Sequence, residues 1–159
     1  MGAKISPCCR YRYTLTRRWG EGFTQVFCML NPSTADAELD DPTIRRCIGF
    51  AKREGAGGLH VVNLFAFRAT DPTDIPDHIT AFGPENYEAL AEAGAISAMT
   101  GKPIILGWGN HGGRYGADKT AIEIFRSAGA PMAFFTWTKE GQPKHPLYVK
   151  GDTVLEMLR

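Results

Sequence analysis

Four polar clusters hold the side chains best equipped for chemistry, and each follows an apolar run. Asn31-Pro32-Ser33-Thr34-Ala35-Asp36 comes after the run at 25–30. Asn63 interrupts the run at 59–65, and Arg68-Ala69-Thr70-Asp71-Pro72 follows it. Gly107-Trp108-Gly109-Asn110-His111-Gly112-Gly113-Arg114 comes after 103–106, and Thr138-Lys139-Glu140-Gly141-Gln142-Pro143-Lys144-His145-Pro146 after 132–137. Carboxamides both donate and accept hydrogen bonds, an imidazole exchanges a proton near neutral pH, and glycines let the backbone approach a phosphate or a base. Asn63 is the most informative single residue. A carboxamide among Val61, Val62, Leu64 and Phe65 must find partners, from backbone or from a ligand, or its burial is costly. Asn31-Pro32-Ser33-Thr34 reads equally as an Asx turn, with Ser33 or Thr34 capping the next segment. His145 is either a positioned imidazole or a surface histidine. Asp36, Asp40 and Asp41 have the chemistry of an acid, a base or a metal ligand, but Asp41 is already accounted for as a helix cap, and no metal site is expected.

The elements that must carry these clusters follow from periodicity. Tyr11, Tyr13 and Leu15 alternate with Arg12, Thr14 and Thr16, the pattern of a half-buried strand, and Gly20-Glu21-Gly22 supplies a turn into 25–30. Together they predict an opening hairpin. The run at 25–30 is apolar on both faces, as in a central strand of a parallel sheet. Asp41 before Pro42 starts a helix on which Ile44, Cys47, Ile48 and Ala51 recur until Gly55. Three more strands are predicted at 59–65, 103–106 and 132–137. Helices are predicted at 84–100, with Tyr87, Leu90, Ala91 and Ala98 on one face, at 117–128, and after a cap at Asp152. Alternating strands and helices imply parallel crossovers. The expected fold is therefore a three-layer α/β/α sandwich with a four-stranded parallel sheet and an N-terminal β-hairpin extension. All four clusters then lie at the carboxyl edge of the sheet, where open α/β folds form their ligand crevices. The opposite edge receives 55–58, 99–102 and 127–131, which hold fewer reactive groups.

A length of 159 residues suits one domain, 1–159, able to bury roughly two-thirds of its unfolded surface. At 43% hydrophobic and 22% charged residues, the chain has neither the charge excess of a disordered protein nor an apolar run able to span a bilayer, so no membrane partner is expected. The net charge of +1 gives no overall attraction to nucleic acid. Two basic groups, Arg10, Arg12, Arg17 and Arg18, and Arg45, Arg46, Lys52 and Arg53, read as solvated faces. The opening MGAKISPCCRYRY lacks an apolar stretch of signal-peptide length, so Cys8, Cys9, Cys28 and Cys47 are expected as reduced thiols in a cytoplasmic protein. Cys28 and Cys47 look like core residues.

Strung together, Val26-Phe27-Cys28-Met29-Leu30-Asn31-Pro32-Ser33, Val61-Val62-Asn63-Leu64-Phe65, Ile105-Leu106-Gly107-Trp108-Gly109 and His145-Pro146 resemble, in order and spacing, the motifs of the uracil-DNA glycosylase superfamily. Over almost its whole length, notably at LNPSTAD, DDPTIRRC, VVNLFAFRATDP and GQPKHPLY, the chain is similar to a family of small bacterial and phage proteins, domain of unknown function 1643, whose name carries no activity. The superfamily resemblance implies a four-stranded parallel sheet between helices and cleavage of an N-glycosidic bond. Asn31 would then match the residue that positions or activates the attacking water. Asn63 would match the carboxamide that reads the edge of an extruded base, and His145 the histidine that steadies charge on the departing base. Phe65, Trp108 or Tyr148 would supply a stacking face, with Ser33, Arg68, Gly109 and Asn110 completing the substrate-binding set.

The sequence also departs from that pattern. Leu30 and Ser33 stand where the single-asparagine glycosylases typically carry glycines, which adds bulk to the base pocket. Leu147 replaces the serine that usually follows His-Pro, which removes a phosphate-pinching hydroxyl. Leu147 also occupies the place of residues that wedge into a duplex, where a core role is the alternative. The expected ligand is a nucleobase, a nucleotide or DNA, and the expected reaction needs neither metal nor redox cofactor. Two other readings stay open. One is a non-catalytic nucleobase-binding module, whose ligand binding would not depend on Asn31. The other is a nucleotide-processing hydrolase or transferase using Asp36 or His111 with phosphates at the glycine loop, for which divalent-metal dependence would be the sign.

Overall fold

In the computed structural model, which describes residues 2–159, the most apolar runs take the centre of the sheet. β3 (Thr24–Met29) and β4 (Gly58–Asn63) are buried on both faces and lie side by side in parallel. β5 (Ile104–Leu106) runs parallel to β3 on its other side, and β6 (Met132–Phe134) runs parallel to β5. Three more strands flank this parallel block. β1 (Gly2–Ile5) and β2 (Arg12–Arg18) form an antiparallel pair, and β2 pairs antiparallel with β4. β7 (Glu156–Met157) pairs antiparallel with β6. The result is one mixed seven-stranded sheet in the order β1-β2-β4-β3-β5-β6-β7.

Four helices accompany the sheet: α1 (Pro42–Arg53), α2 (His78–Phe82), α3 (Asn86–Thr100) and α4 (Ala117–Ser127). Alternate residues of β3 point into two cores, as the period of a strand requires. Val26 and Cys28 pack with Leu90 and Ala93 of α3 and Phe125 of α4. Phe27 and Met29 pack with Ile44, Cys47 and Phe50 of α1. Helices therefore cover both faces. Burial of Cys28 and Cys47 pushes both thiols up, while Cys8 and Cys9 are exposed.

The expected sheet of four parallel strands is thus the middle of a larger mixed one, and four local expectations need correction. β2 does not form a hairpin with β3, because β4 lies between them. The glycine-containing loop instead straps across Gly57: Trp19 and Gly20 both donate to the Gly57 carbonyl, and a Cβ on Gly57 would stand 2.1 Å from the Glu21 carbonyl oxygen. A strand apolar on both faces needs a neighbour on each edge, and β2 serves β4 in that way. The segment after Asp152 forms β7 and not a helix, since the outer edge of β6 needs backbone partners and Leu158 donates to the Met132 carbonyl. On α3 the buried face carries Asn86, Ala89, Leu90, Ala93, Gly94 and Ser97, while Tyr87 is exposed. Small residues win that face because α4 comes close: a Cβ on Gly94 would lie 2.9 Å from the Cβ of Ala128. Lastly, Arg12 and Arg17 are buried, not solvated.

Candidate functional site

At the carboxyl ends of β3, β4, β5 and β6 the chain encloses a cleft of about 830 Å³. Residues from all four polar clusters line it: Asn31 and Ser33, then Asn63 and Thr70, then Trp108, Gly109, Asn110 and His111, then Lys139, Lys144 and His145. The strand ends fix its floor. Asn63 closes β4 beside Met29 of β3, and only 2% of it is exposed. Its main-chain carbonyl accepts from the Asn86 amide, 3.0 Å away, which ties the end of β4 to the first turn of α3. The side-chain Oδ1 is sealed from water and has no hydrogen-bond partner. An unmade bond of this kind costs about 1–3 kcal/mol.

The segment from Asn31 to Asp41 forms one wall, and buried arginines of β2 hold it. Arg12 donates through Nη1 to the Ala35 carbonyl at 2.9 Å. Arg17 pairs with Asp40 at 2.8 Å and donates to the carbonyls of Asp36 and Leu39. Within this wall Asn31 donates through Nδ2 to the carbonyls of Ala69, at 2.7 Å, and Pro32, at 3.1 Å. That orientation leaves Oδ1 as the end of the amide available to accept. The Asp36 carboxylate accepts from the backbone N–H groups of Glu38 and Leu39, which hold it below the usual carboxylate range, and it lies outside the cleft. Asp41 caps α1 by accepting from Ile44 at 2.9 Å, and it also lines the cleft.

Opposite stands a wall in which the glycines serve internal packing. Trp108 is 2% exposed and donates through Nε1 to Gln142 at 2.8 Å. Its indole lies where a Cβ on Gly112 would be 1.9 Å away. Gly107 is just as crowded, with Pro146 Cδ 2.7 Å from where its Cβ would be. Gly109, at φ +73°, donates its N–H to the Pro143 carbonyl at 2.8 Å. These contacts fasten the loop after β5 to the segment bearing His145.

His145 Nδ1 accepts from the Leu147 N–H at 3.2 Å, so the neutral ring carries its proton on Nε2. Burial depresses the His145 pKa, and the nearby Asp41 charge partly offsets that. Arg46 braces the segment by donating to the carbonyls of Pro146 and Val149. Tyr148 is largely exposed at the mouth, its ring 5.9 Å from the imidazole, and Leu147 is exposed there as well, not a core residue.

Phe65 and Arg68 do not line the cleft. Phe65 is fully buried behind it, edge-on to Tyr115, and Arg68 turns away to the Cys9 carbonyl. Conversely, Arg12 and Trp137 line it although the sequence did not single them out for it, and Asp41 lines it as well as capping α1. Arg12 had no local signal, because its place in an alternating strand is that of a solvated residue. Asp41 was fully accounted for by its capping role. Asp41 is the one acidic side chain among the described lining residues, against the positive side chains of Arg12, Lys139 and Lys144. Among the described residues no group of three or more His, Cys, Asp or Glu side chains converges as a metal site would require.

A family model described as "Protein of unknown function (DUF1643)" matches residues 12–147. The chain belongs to this family. The matched segment starts at Arg12 and includes every lining residue named above except Tyr148, so the DUF1643 match and the cleft cover the same part of the fold. No curated protein and no solved structure matches the chain. No helix among the described residues is long and apolar enough to cross a membrane.

Proposed function

We propose that the cleft recognises a nucleobase, in a nucleotide or in DNA, and hydrolyses its N-glycosidic bond. The observation that carries this reading is the unpartnered carboxamide oxygen of Asn63 at the cleft floor. A base offers ring N–H or amino donors in one plane, and Oδ1 accepts from such an edge while the stem of Asn63 stays fixed in β4. Trp137 and Tyr148, both exposed and both lining the cleft, are the aromatic side chains on hand for stacking, whereas Trp108 is packed into the wall.

Two further groups suit the reaction. Hydrolysis joins a water oxygen to the anomeric carbon as the bond to the base nitrogen breaks; the base departs with the electron pair and takes up the proton that the water loses. The free Oδ1 of Asn31 accepts a hydrogen bond from the attacking water. The Nε2–H of His145 donates to the departing base; as a neutral imidazole it stabilises the developing anion by hydrogen bonding. The alternative that uses Asp36 loses support, since its carboxylate is tied to its own loop outside the cleft.

The test is base release from oligonucleotides containing uracil and other altered bases, and from free nucleotides, in the presence of a chelator. The expected outcome is release that falls by about 10²–10⁴-fold in both Asn31→Ala and His145→Ala. Nucleotide-dependent heat protection without release would make the protein a nucleobase-binding module. Neither release nor protection would reject the nucleobase reading altogether.

A further inference from the structure

We infer that the buried guanidinium of Arg12 makes the inner wall of the cleft a phosphate subsite, so that the ligand is a phosphate-bearing nucleotide and not a bare base or nucleoside. The inference rests on the nucleobase reading for the rest of the ligand. Arg12 is 2% exposed and lines the cleft. Its Nη1 donates to the Ala35 carbonyl, while Nε is sealed from water with no partner. Among the described residues Nη2 has no protein partner either, and no carboxylate stands within ion-pair distance. Arg17, on the same strand, shows what a structural arginine looks like here: an ion pair with Asp40 at 2.8 Å and four backbone carbonyls around its other nitrogens.

A buried charge without a partner is costly, and proteins keep one mainly where something else supplies the counter-charge. Burial lowers the Arg12 pKa to about 10, so the group remains cationic at neutral pH. The unpaired Nε–Nη2 edge is the side of a guanidinium that grips two oxygens of one oxyanion at once. A second feature of the cleft favours an anion: α1 begins at Pro42, and its first residues Thr43 and Ile44 line the cleft with the positive end of the helix dipole. Asp41 opposes this through space and offsets part of the Arg12 charge, but it lies beyond ion-pair distance and its Oδ1 is held by the Ile44 N–H. Arg12 and Asn63 line the same cleft from neighbouring strands and suit the phosphate and the base of one small molecule.

The experiment is calorimetric titration of the full chain with four nucleosides, their 5′-monophosphates, ribose 5-phosphate and inorganic phosphate. Wild type, Arg12→Lys and Arg12→Met are compared. Wild type is expected to bind at least one monophosphate about 10–100-fold more tightly than its nucleoside, with inorganic phosphate competing. Arg12→Met also frees the Ala35 carbonyl, so the readout is the ratio of monophosphate to nucleoside affinity: Arg12→Met is expected to erase that preference, while Arg12→Lys keeps a part of it. Equal affinity for nucleoside and monophosphate in wild type, or a preference that survives Arg12→Met, overturns the subsite. If Arg12→Met does not fold, the wild-type preference, the phosphate competition and Arg12→Lys decide. Should ribose 5-phosphate bind through Arg12 while bases and nucleosides add nothing, the phosphate subsite stands and the nucleobase reading falls. Nucleoside binding with no gain from phosphate gives the reverse, and no binding at all removes both.

Discussion

Replacing Asn63 by leucine should make the protein more stable and destroy its ligand recognition. Leucine branches where asparagine does and has nearly the same shape, and it would enter a floor already lined by Met29, Leu30 and Val61. The wild-type Oδ1 is buried without a partner, at a cost of about 1–3 kcal/mol that the leucine side chain does not incur. The bond from Asn86 to residue 63 goes to the main-chain carbonyl and survives the substitution. The expected gain is about 1–2 kcal/mol, which for a chain of this length raises Tm by roughly 2–8 °C. Urea unfolding in ligand-free buffer measures it, with an unchanged denaturant slope as the sign that the compact state is the same. Nucleotide binding and base release should both disappear. A variant less stable than wild type by more than about 0.5 kcal/mol would mean that the carboxamide is already satisfied, which would refute the reasoning that makes it a recognition group. So would a variant that still binds nucleotide as wild type does.

Two further outcomes follow from buried contacts. His60 is 5% exposed with Nε2 unpartnered, and burial depresses its pKa. The unfolded chain takes up a proton at about pH 6.5, before the folded state does, so the His60 contribution is full above that pH and is lost as pH falls toward the depressed folded value. His60→Leu should flatten the decline in unfolding free energy measured by urea titration as pH falls below about 6.5; an unchanged slope counts against burial as its cause. Gly112→Ala sets a Cβ against the Trp108 indole and should break the bond to Gln142, at a cost of about 1–3 kcal/mol visible as a shift in tryptophan emission and a lower Tm. Gly49→Ala, in α1 with open space around it, is the control and should gain up to about 1 kcal/mol.

Much of the parallel block was legible because it rests on local chemistry. The two-faced apolar runs marked β3 and β4, and Asp41 with Pro42 marked the start of α1. What escaped depends on which strand lies beside which. The loop at Gly20-Glu21-Gly22 reads as a hairpin turn, and only the insertion of β4 between β2 and β3 makes it a strap over Gly57. Tyr87 is apolar enough to be placed in the core, yet small side chains take that face because α4 approaches too closely for larger ones. Of the candidate site, Asn31, Asn63, Trp108 and His145 were marked by polar chemistry at strand ends, and the fold brings them to one cleft. Phe65 shared those signals and went to the core.

The sequence by itself determined the alternation of strands and helices and the edge on which the polar clusters fall. Both follow from periods of two and of 3.6 residues and from turn residues, which act over a few positions of chain. Only the tertiary structure decided that Arg12, in a strand that alternates like any half-exposed one, is a buried cation in the wall of the cleft. It also decided that the Asn63 carboxamide has no partner and that the loop glycines yield to Trp108 and Pro146. Burial and hydrogen-bond satisfaction are properties of what lies across space, and no short stretch of chain contains that information.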